Sequence, residues 1–207
     1  MRTYSQLFFS FARARIFSVL LLSLPFSAQS QQSTLEFTPE HTKVEFTLGD
    51  VIHTVHGSFD LKHGAVHFNP DTGEISGAIV LDAASGKSGN RTRDRKMHRD
   101  VLQSEQYPEI SFRPDHVEGK VGMQGPSTVQ VHGVFSIHGA DHEMTVPIKV
   151  EMAQEHWVAT AMFTVPYVKW GLKNPSTFLL RVSESVEIDV RATSPDAAPP
   201  PPVRKSK

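Results

Sequence analysis

Apolar and polar residues alternate with a period of two along most of this chain, and that pattern admits few folds. Val44, Phe46 and Leu48 alternate with Lys43, Glu45 and Thr47. Val129, Val131, Phe135 and Ile137 alternate with Gln130, His132, Ser136 and His138, and Val146, Ile148, Val150 and Met152 with Thr145, Lys149 and Glu151. Successive side chains of a strand point to opposite faces, so each run reads as a half-buried antiparallel strand. Further strands are legible over 65–69, 74–82, 109–113, 116–123, 156–166 and 178–193, with turns at Asp71-Thr72-Gly73, Gln124-Gly125-Pro126 and His138-Gly139-Ala140-Asp141. Eight or more strands joined by short turns must close on themselves or stack as two sheets, because open edges invite association. The expected fold class is all-β.

One segment breaks the alternation. From Ser88 to Glu105, Met97, Val101 and Leu102 fall on one helical face with Asp94 and His98, after the cap-competent Ser88 and Asn90. The spacing predicts a single crossover helix at about 88–105, between the strand ending at Asp82 and the one starting near Tyr107. Its polar face carries Arg91, Arg93, Arg95, Lys96 and Arg99 against Asp94 and Asp100. Such a face either sits in solvent or holds an anionic head group at a barrel mouth, since guanidinium pairs well with phosphate and carboxylate. Asp94, near the helix start, is expected to pair with Arg91 or Arg93 as a clamp rather than to act in chemistry.

The two ends differ from the middle. The first thirty residues hold no acid; Arg2, Arg13 and Arg15 precede an apolar run from Ile16 to Phe26, and Ala28-Gln29-Ser30 places small residues at a cleavage bond. This has the form of a secretory signal peptide over 1–30, cut after Ser30, with an apolar run well short of the roughly 20 residues that span a bilayer. The segment 194–207, with prolines 199–202 and the basic end Arg204-Lys205-Ser206-Lys207, reads as a disordered Pro-rich tail. Residues 31–193 remain as one domain. The whole chain has 21 Lys and Arg against 22 Asp and Glu, and losing the signal's three arginines leaves the exported form at about −4. No field exists to hold a nucleic acid.

Cysteine is absent, which removes disulfides, thiolate catalysis and iron–sulfur clusters. The 11 histidines raise a metal-binding alternative, but their spacing weakens it. His53 and His56 fall on opposite faces of a strand, and His63 and His67 lie about 13 Å apart on one face. Only His138 and His142, across a short turn, are placed to meet. His142-Glu143 lacks the second histidine of a zincin helix because position 146 is Val146, and no hydrolase constellation emerges. No catalytic residue, metal ligand or cofactor is assigned.

The run Arg93-Asp94-Arg95-Lys96-Met97-His98, followed by Tyr107-Pro108-Glu109-Ile110-Ser111-Phe112, resembles the signature of the YceI-like family. Glu40-His41-Thr42-Lys43-Val44-Glu45-Phe46, Val55-His56-Gly57-Ser58-Phe59 and Val186-Glu187-Ile188-Asp189-Val190 fit its flanking strands, so the likeness runs from Leu35 to Ala192, with Met97 where the family has Leu. The resemblance implies an extended antiparallel lipocalin-like barrel of about eight strands, exported to the periplasm, that takes a long-chain lipid such as a polyisoprenoid or fatty amide and is not an enzyme. Inward candidates to bind that ligand are Phe46, Phe68, Ile79, Phe112, Val131, Phe135, Ile148, Val150, Trp157 and Phe163, with Gly77 and Gly133 expected to leave space, and Tyr167 and Trp170 at the rim. Eight strands enclose either a packed core or one slender ligand, so a ligand-free structural barrel is the other outcome. Peripheral membrane contact and a homodimer through the outer sheet are compatible with the same reading.

Overall fold

The computed structural model describes residues 33–49, 54–69, 72–122, 125–153, 156–176 and 181–194. The proposed signal with its cleavage bond, His53, and the tail apart from Ser194 lie outside these residues. Ten antiparallel strands form one sheet in the order β1-β4-β5-β6-β7-β8-β9-β10-β2-β3. They are β1 (Ser33–Phe37), β2 (Thr42–Gly49), β3 (Thr54–Phe59), β4 (Leu61–Phe68), β5 (Ile75–Asp82), β6 (Glu109–Glu118), β7 (Gly125–Ile137), β8 (Ala140–Ala153), β9 (His156–Val165) and β10 (Val186–Thr193). Asp60 alone separates β3 from β4, which form one bent run, so the sheet has ten strands where about eight were expected.

The sheet curls into a half-barrel completed by the bent β3–β4 run. That run pairs β2 with its first part, and β1 and β5 with its second, while β2 pairs β10 on its other edge. Beyond the end of β5 the chain makes one bridge back to β3: the Ser58 and Lys87 N–H groups donate to each other's carbonyls at 2.9 and 3.0 Å. The long β7–β8 hairpin turns on His138 and Gly139, whose φ values of 54° and 74° give the primed turn that matches strand twist. Tyr107 packs on this turn, its ring centroid 4.5 Å from that of His138. The runs 109–113 and 116–123, expected as two strands, form one strand β6 with a register shift between Pro114 and His116. Proline has no N–H for the ladder, and a bulge is where a sheet tolerates it. Of the strand expected over 178–193, Val186–Thr193 is strand β10, the described residues 181–185 precede it, and 178–180 lie outside the described residues.

The crossover helix is shorter than its sequence pattern. Asn90 Oδ1 accepts the N–H groups of Thr92 and Arg93, which starts α1 at Arg91–Lys96. The chain then widens into a π-wound turn, Met97–Leu102, and ends where Gln103 adopts a left-handed conformation with φ 49°. Ser88 thus precedes the helix instead of belonging to it.

Two apolar clusters pack inside the sheet. One, under the helix, contains Ala83, Leu102, Ile110, Phe135, Val165 and Leu172 among others. The other, at the far end, is Val117, Val129 and Val131, with Phe68, Ile75 and Val150 packed on it. Each fully buried Val, Leu or Phe contributes about 1.5–3 kcal/mol relative to exposure, so sheet closure and these clusters carry the stability of a cysteine-free chain.

Candidate functional site

Between the helix and the far-end cluster lies a cavity of about 580 Å³. Its walls come from β2, β3, β5–β10 and the helical segment, and the inward residues set by period-two alternation face it. The bulk is unevenly distributed. The rings stand on several strands, Phe46 on β2, Phe59 on β3, Phe112 on β6, Phe135 on β7 and Phe163 on β9, while the small residues Ala159, Ala161 and Ala192 lie on β9 and β10. Small residues facing large ones leave volume that alternation alone does not reveal.

Glycines decide where the rings go. Phe46 is paired in register with Gly57, and a Cβ built on Gly57 would stand 2.2 Å from its Cζ. Phe37 likewise lies on its partner Gly64, with 2.9 Å to the ideal Cβ position, and the Phe112 ring lies 2.9 Å from that of Gly133. These aromatic side chains take space that a Cβ would otherwise occupy and that only glycine leaves open. The space expected at Gly133 is taken by the Arg113 carbonyl oxygen at 2.4 Å, with Pro114 Cα and the Phe112 ring next, and at Gly77, where φ is +118°, a Cβ would meet the Ala65 carbonyl oxygen at 2.2 Å. Neither glycine adds volume for a ligand.

Of the residues proposed from sequence, Phe46, Ile79, Phe112, Phe135 and Ile148 line this cavity, as do Phe163 and Tyr167. Phe68, Val131 and Val150 belong to the packed far end, where Phe112 and Ile148 meet them and form the cavity floor. Trp157 stands behind Phe37 in an edge-on contact with 5.5 Å between centroids. Trp170 does not line the cavity; it stacks face to face on His142, the cross-strand partner of Phe135, at 4.2 Å, with Phe135 at 5.6 Å. The loop 166–176 thus packs over the barrel end by its own aromatics. Tyr167, 5% exposed, donates its hydroxyl to the Ser183 carbonyl at 2.6 Å, and burial pushes its phenol up to about 12, with the Glu184 charge adding to the effect. Lining residues missed by the sequence include Phe37, Leu48, Phe59 and the alanines of β9 and β10. The cross-strand glycine–aromatic pairs are the signal that could have located the rings.

The mouth lies at the helix, where the lining residues become polar: exposed Asn90, Thr92 and Arg93, and half-buried Ser88 and Lys96. The expected pairing of Asp94 with Arg91 or Arg93 is not made directly among the described residues; Arg93 and Asp94 meet instead on Ser88. Arg93 Nε donates to Ser88 Oγ at 2.7 Å and Nη2 to the Ser88 carbonyl at 2.8 Å. Asp94 Oδ1 accepts the Ser88 N–H at 2.9 Å and its hydroxyl. Lys96 Nζ donates to the Pro175 carbonyl at 3.3 Å, joining the helix to the loop.

The histidines are dispersed. His138 faces Tyr107, His142 faces Trp170, and His132 Nδ1 contacts Asp115 at 2.7 Å. Among the described residues no three His, Asp or Glu side chains converge as a metal site.

The sequence matches the YceI-like domain family over residues 35–194. No curated protein matches the chain. Among solved structures, Burkholderia cenocepacia BcnA is similar at 17% identity and TM-score 0.61, over 74% of this chain and 96% of its own. A polyisoprenoid-binding domain from Saccharophagus degradans, implicated in plant cell wall breakdown, is similar at 11% identity and TM-score 0.58, over 77% and 98%. The Campylobacter jejuni YceI protein is similar at 16% identity and TM-score 0.57, over 69% and 85%. At these identities the likeness is one of fold.

Proposed function

The chain belongs to the YceI-like domain family, and on that premise we propose that it is a periplasmic binding protein holding one long-chain apolar molecule inside its half-barrel. The cavity of about 580 Å³, walled by aliphatic and aromatic side chains, is the observation that carries this reading. It falls within the several-hundred Å³ range of small-molecule sites. Along β9 it runs from Ala159 to Val165, roughly 20 Å at the usual strand rise. A slender chain suits that shape. Each methylene taken from water contributes about 0.8 kcal/mol, so tens of carbons outweigh the cost of association without any charged contact. A polyisoprenoid, the ligand of the similar Saccharophagus domain, or a fatty chain fits both length and chemistry. No imidazole or carboxylate lines the cavity among the described residues, which supports binding over acid–base chemistry. Export through a cleaved signal over 1–30 is part of the same proposal.

Organic extraction of the protein purified from its native host is the direct test. A stoichiometric apolar molecule is expected by mass spectrometry; a protein that yields none, and takes up no fluorescent isoprenoid, sinks the carrier reading.

A further inference from the structure

We infer that the mouth of the cavity seats an anionic head group, so that the ligand is an amphiphile ending in a carboxylate or phosphate and not in a neutral amide or alcohol. This rests on the apolar-ligand reading above and adds the chemistry of the ligand's other end. Among the described residues lining the cavity, the charged side chains are Arg93 and Lys96; no acid lines it. A ligand whose tail fills the apolar part therefore places its head against two positive charges and against the polar Ser88, Asn90 and Thr92.

The basic face of the helical segment is not uniform. Arg91 and Arg95 are exposed and do not line the cavity, and Arg99 donates to Asp100 at 2.7 and 3.0 Å. Arg93 and Lys96, three residues apart, share the face turned to the mouth. The acid beside them is engaged elsewhere: Asp94 accepts both the backbone and the hydroxyl of Ser88. Its charge is held on the loop side and does not line the lumen.

Arg93 is also set before any ligand arrives. Nε and Nη2 are held by Ser88, which fixes the guanidinium plane and leaves Nη1 without a protein partner among the described residues. Lys96 spends one donor on Pro175 and keeps its remaining N–H bonds for another acceptor. A pre-oriented guanidinium loses less freedom on pairing with an oxyanion, and that pairing is favoured next to low-dielectric walls. The far end of the cavity offers no such group: Phe37, Val190 and Ala192 line it there. The ligand's direction follows, tail inward and head at the helix.

The test uses delipidated full-chain protein and four probes of equal chain: palmitate, hexadecyl phosphate, palmitamide and hexadecanol, titrated by calorimetry at low and high salt. At least one anion is expected to bind about tenfold or more tighter than amide and alcohol, the scale of one charge-assisted hydrogen bond. High salt should shrink that margin. Lys96→Gln is expected to reduce the anion preference and leave palmitamide affinity unchanged, with Lys96→Arg restoring it; Arg93→Gln should do the same with a further loss of order at Ser88. Equal affinity for all four probes, or a Lys96→Gln loss shared by palmitamide, overturns the inference while leaving apolar binding intact. Inorganic phosphate alone is expected not to displace bound palmitate, and displacement by it would show a free-anion site instead. Failure of every probe to bind would instead count against the apolar cavity as a ligand site.

Discussion

The helix end and the far end of this half-barrel are built from the same strands with the same alternation, yet the first is hollow and the second is filled. At the far end Val117, Val129 and Val131 come from adjacent strands β6 and β7, and Phe68, Ile75 and Val150 close on them from β4, β5 and β8. Bulky inward residues on every neighbour leave no lumen. The sheet is also bent there, by the register shift at Pro114/His116 and by Gly77 at φ +118°. In the hollow part β9 and β10 contribute the small residues Ala159, Ala161 and Ala192, and the Phe46 ring lies against Gly57, where a Cβ would collide with it. Alternation decides which side chains point inward; the sizes of residues facing each other across the axis decide whether anything is left between them.

Acid substitutions separate the two ends most strongly. Val131, 4% exposed in the filled end, has no polar partner or water-accessible space, and a carboxylate there costs several kcal/mol out of a typical domain total of about 5–15. Val131→Asp is expected to abolish the cooperative thermal transition. Phe135→Asp places its acid on the cavity wall, where rearrangement toward the lumen is open to it. That variant is expected to fold with a lowered melting temperature and to lose uptake of a fluorescent isoprenoid. If Val131→Asp melts like the parent, the far end is not the packed half.

Overfilling gives a smaller and opposite contrast. Val129→Phe, in the filled end, is expected to cost about 1–3 kcal/mol through forced rotamers and backbone shifts. Ala161→Phe projects the same ring into open volume, so its melting temperature should stay level or rise while ligand affinity falls by tenfold or more. A comparable destabilisation by both changes, measured by urea denaturation, would mean that the cavity wall is as tightly packed as the far end.

Much of this contrast was not written in the chain in a form that strand periodicity can read. The inward parity of Phe46, Phe112, Phe135 and Ile148 was legible, and so were the β7–β8 turn and the crossover helix, because each depends on neighbours in sequence. Depth along the barrel axis depends on register between strands far apart. That is why Phe68, Val131, Val150 and Trp157 carry the right parity yet lie beneath or behind the cavity. β1 and the break at Asp60 were invisible for a related reason: Ser33–Phe37 is short and exposed on alternate residues, and it is a strand because β4 pairs with it. The basic run on the helix was legible as charge, but which two of its members face the mouth follows from where the helix starts, and Asn90 sets that by capping Thr92 and Arg93.

The outer face supplies the mildest test, because the residues that alternate with the packed valines should matter least to the interior. His132 stands between Val131 and Gly133 and donates from Nδ1 to Asp115 at 2.7 Å on the solvent side. The hydrogen bond to Asp115 holds this imidazole above its ordinary value, with the Asp115, Glu143 and Glu118 charges acting in the same direction against desolvation. A group raised on folding adds stability that is complete below its unfolded value of about 6.5 and is lost as pH climbs through the folded value. His132→Ala should therefore flatten a small decline in melting temperature across that window, and Asp115→Asn should do the same. The effect is small because both side chains are largely open to solvent and screened by salt. Ligand affinity should not change in either variant. An affinity loss with His132→Ala approaching that of Phe135→Asp would mean that β7 presents the opposite face to the lumen, and the division into a hollow and a filled end would fall with it.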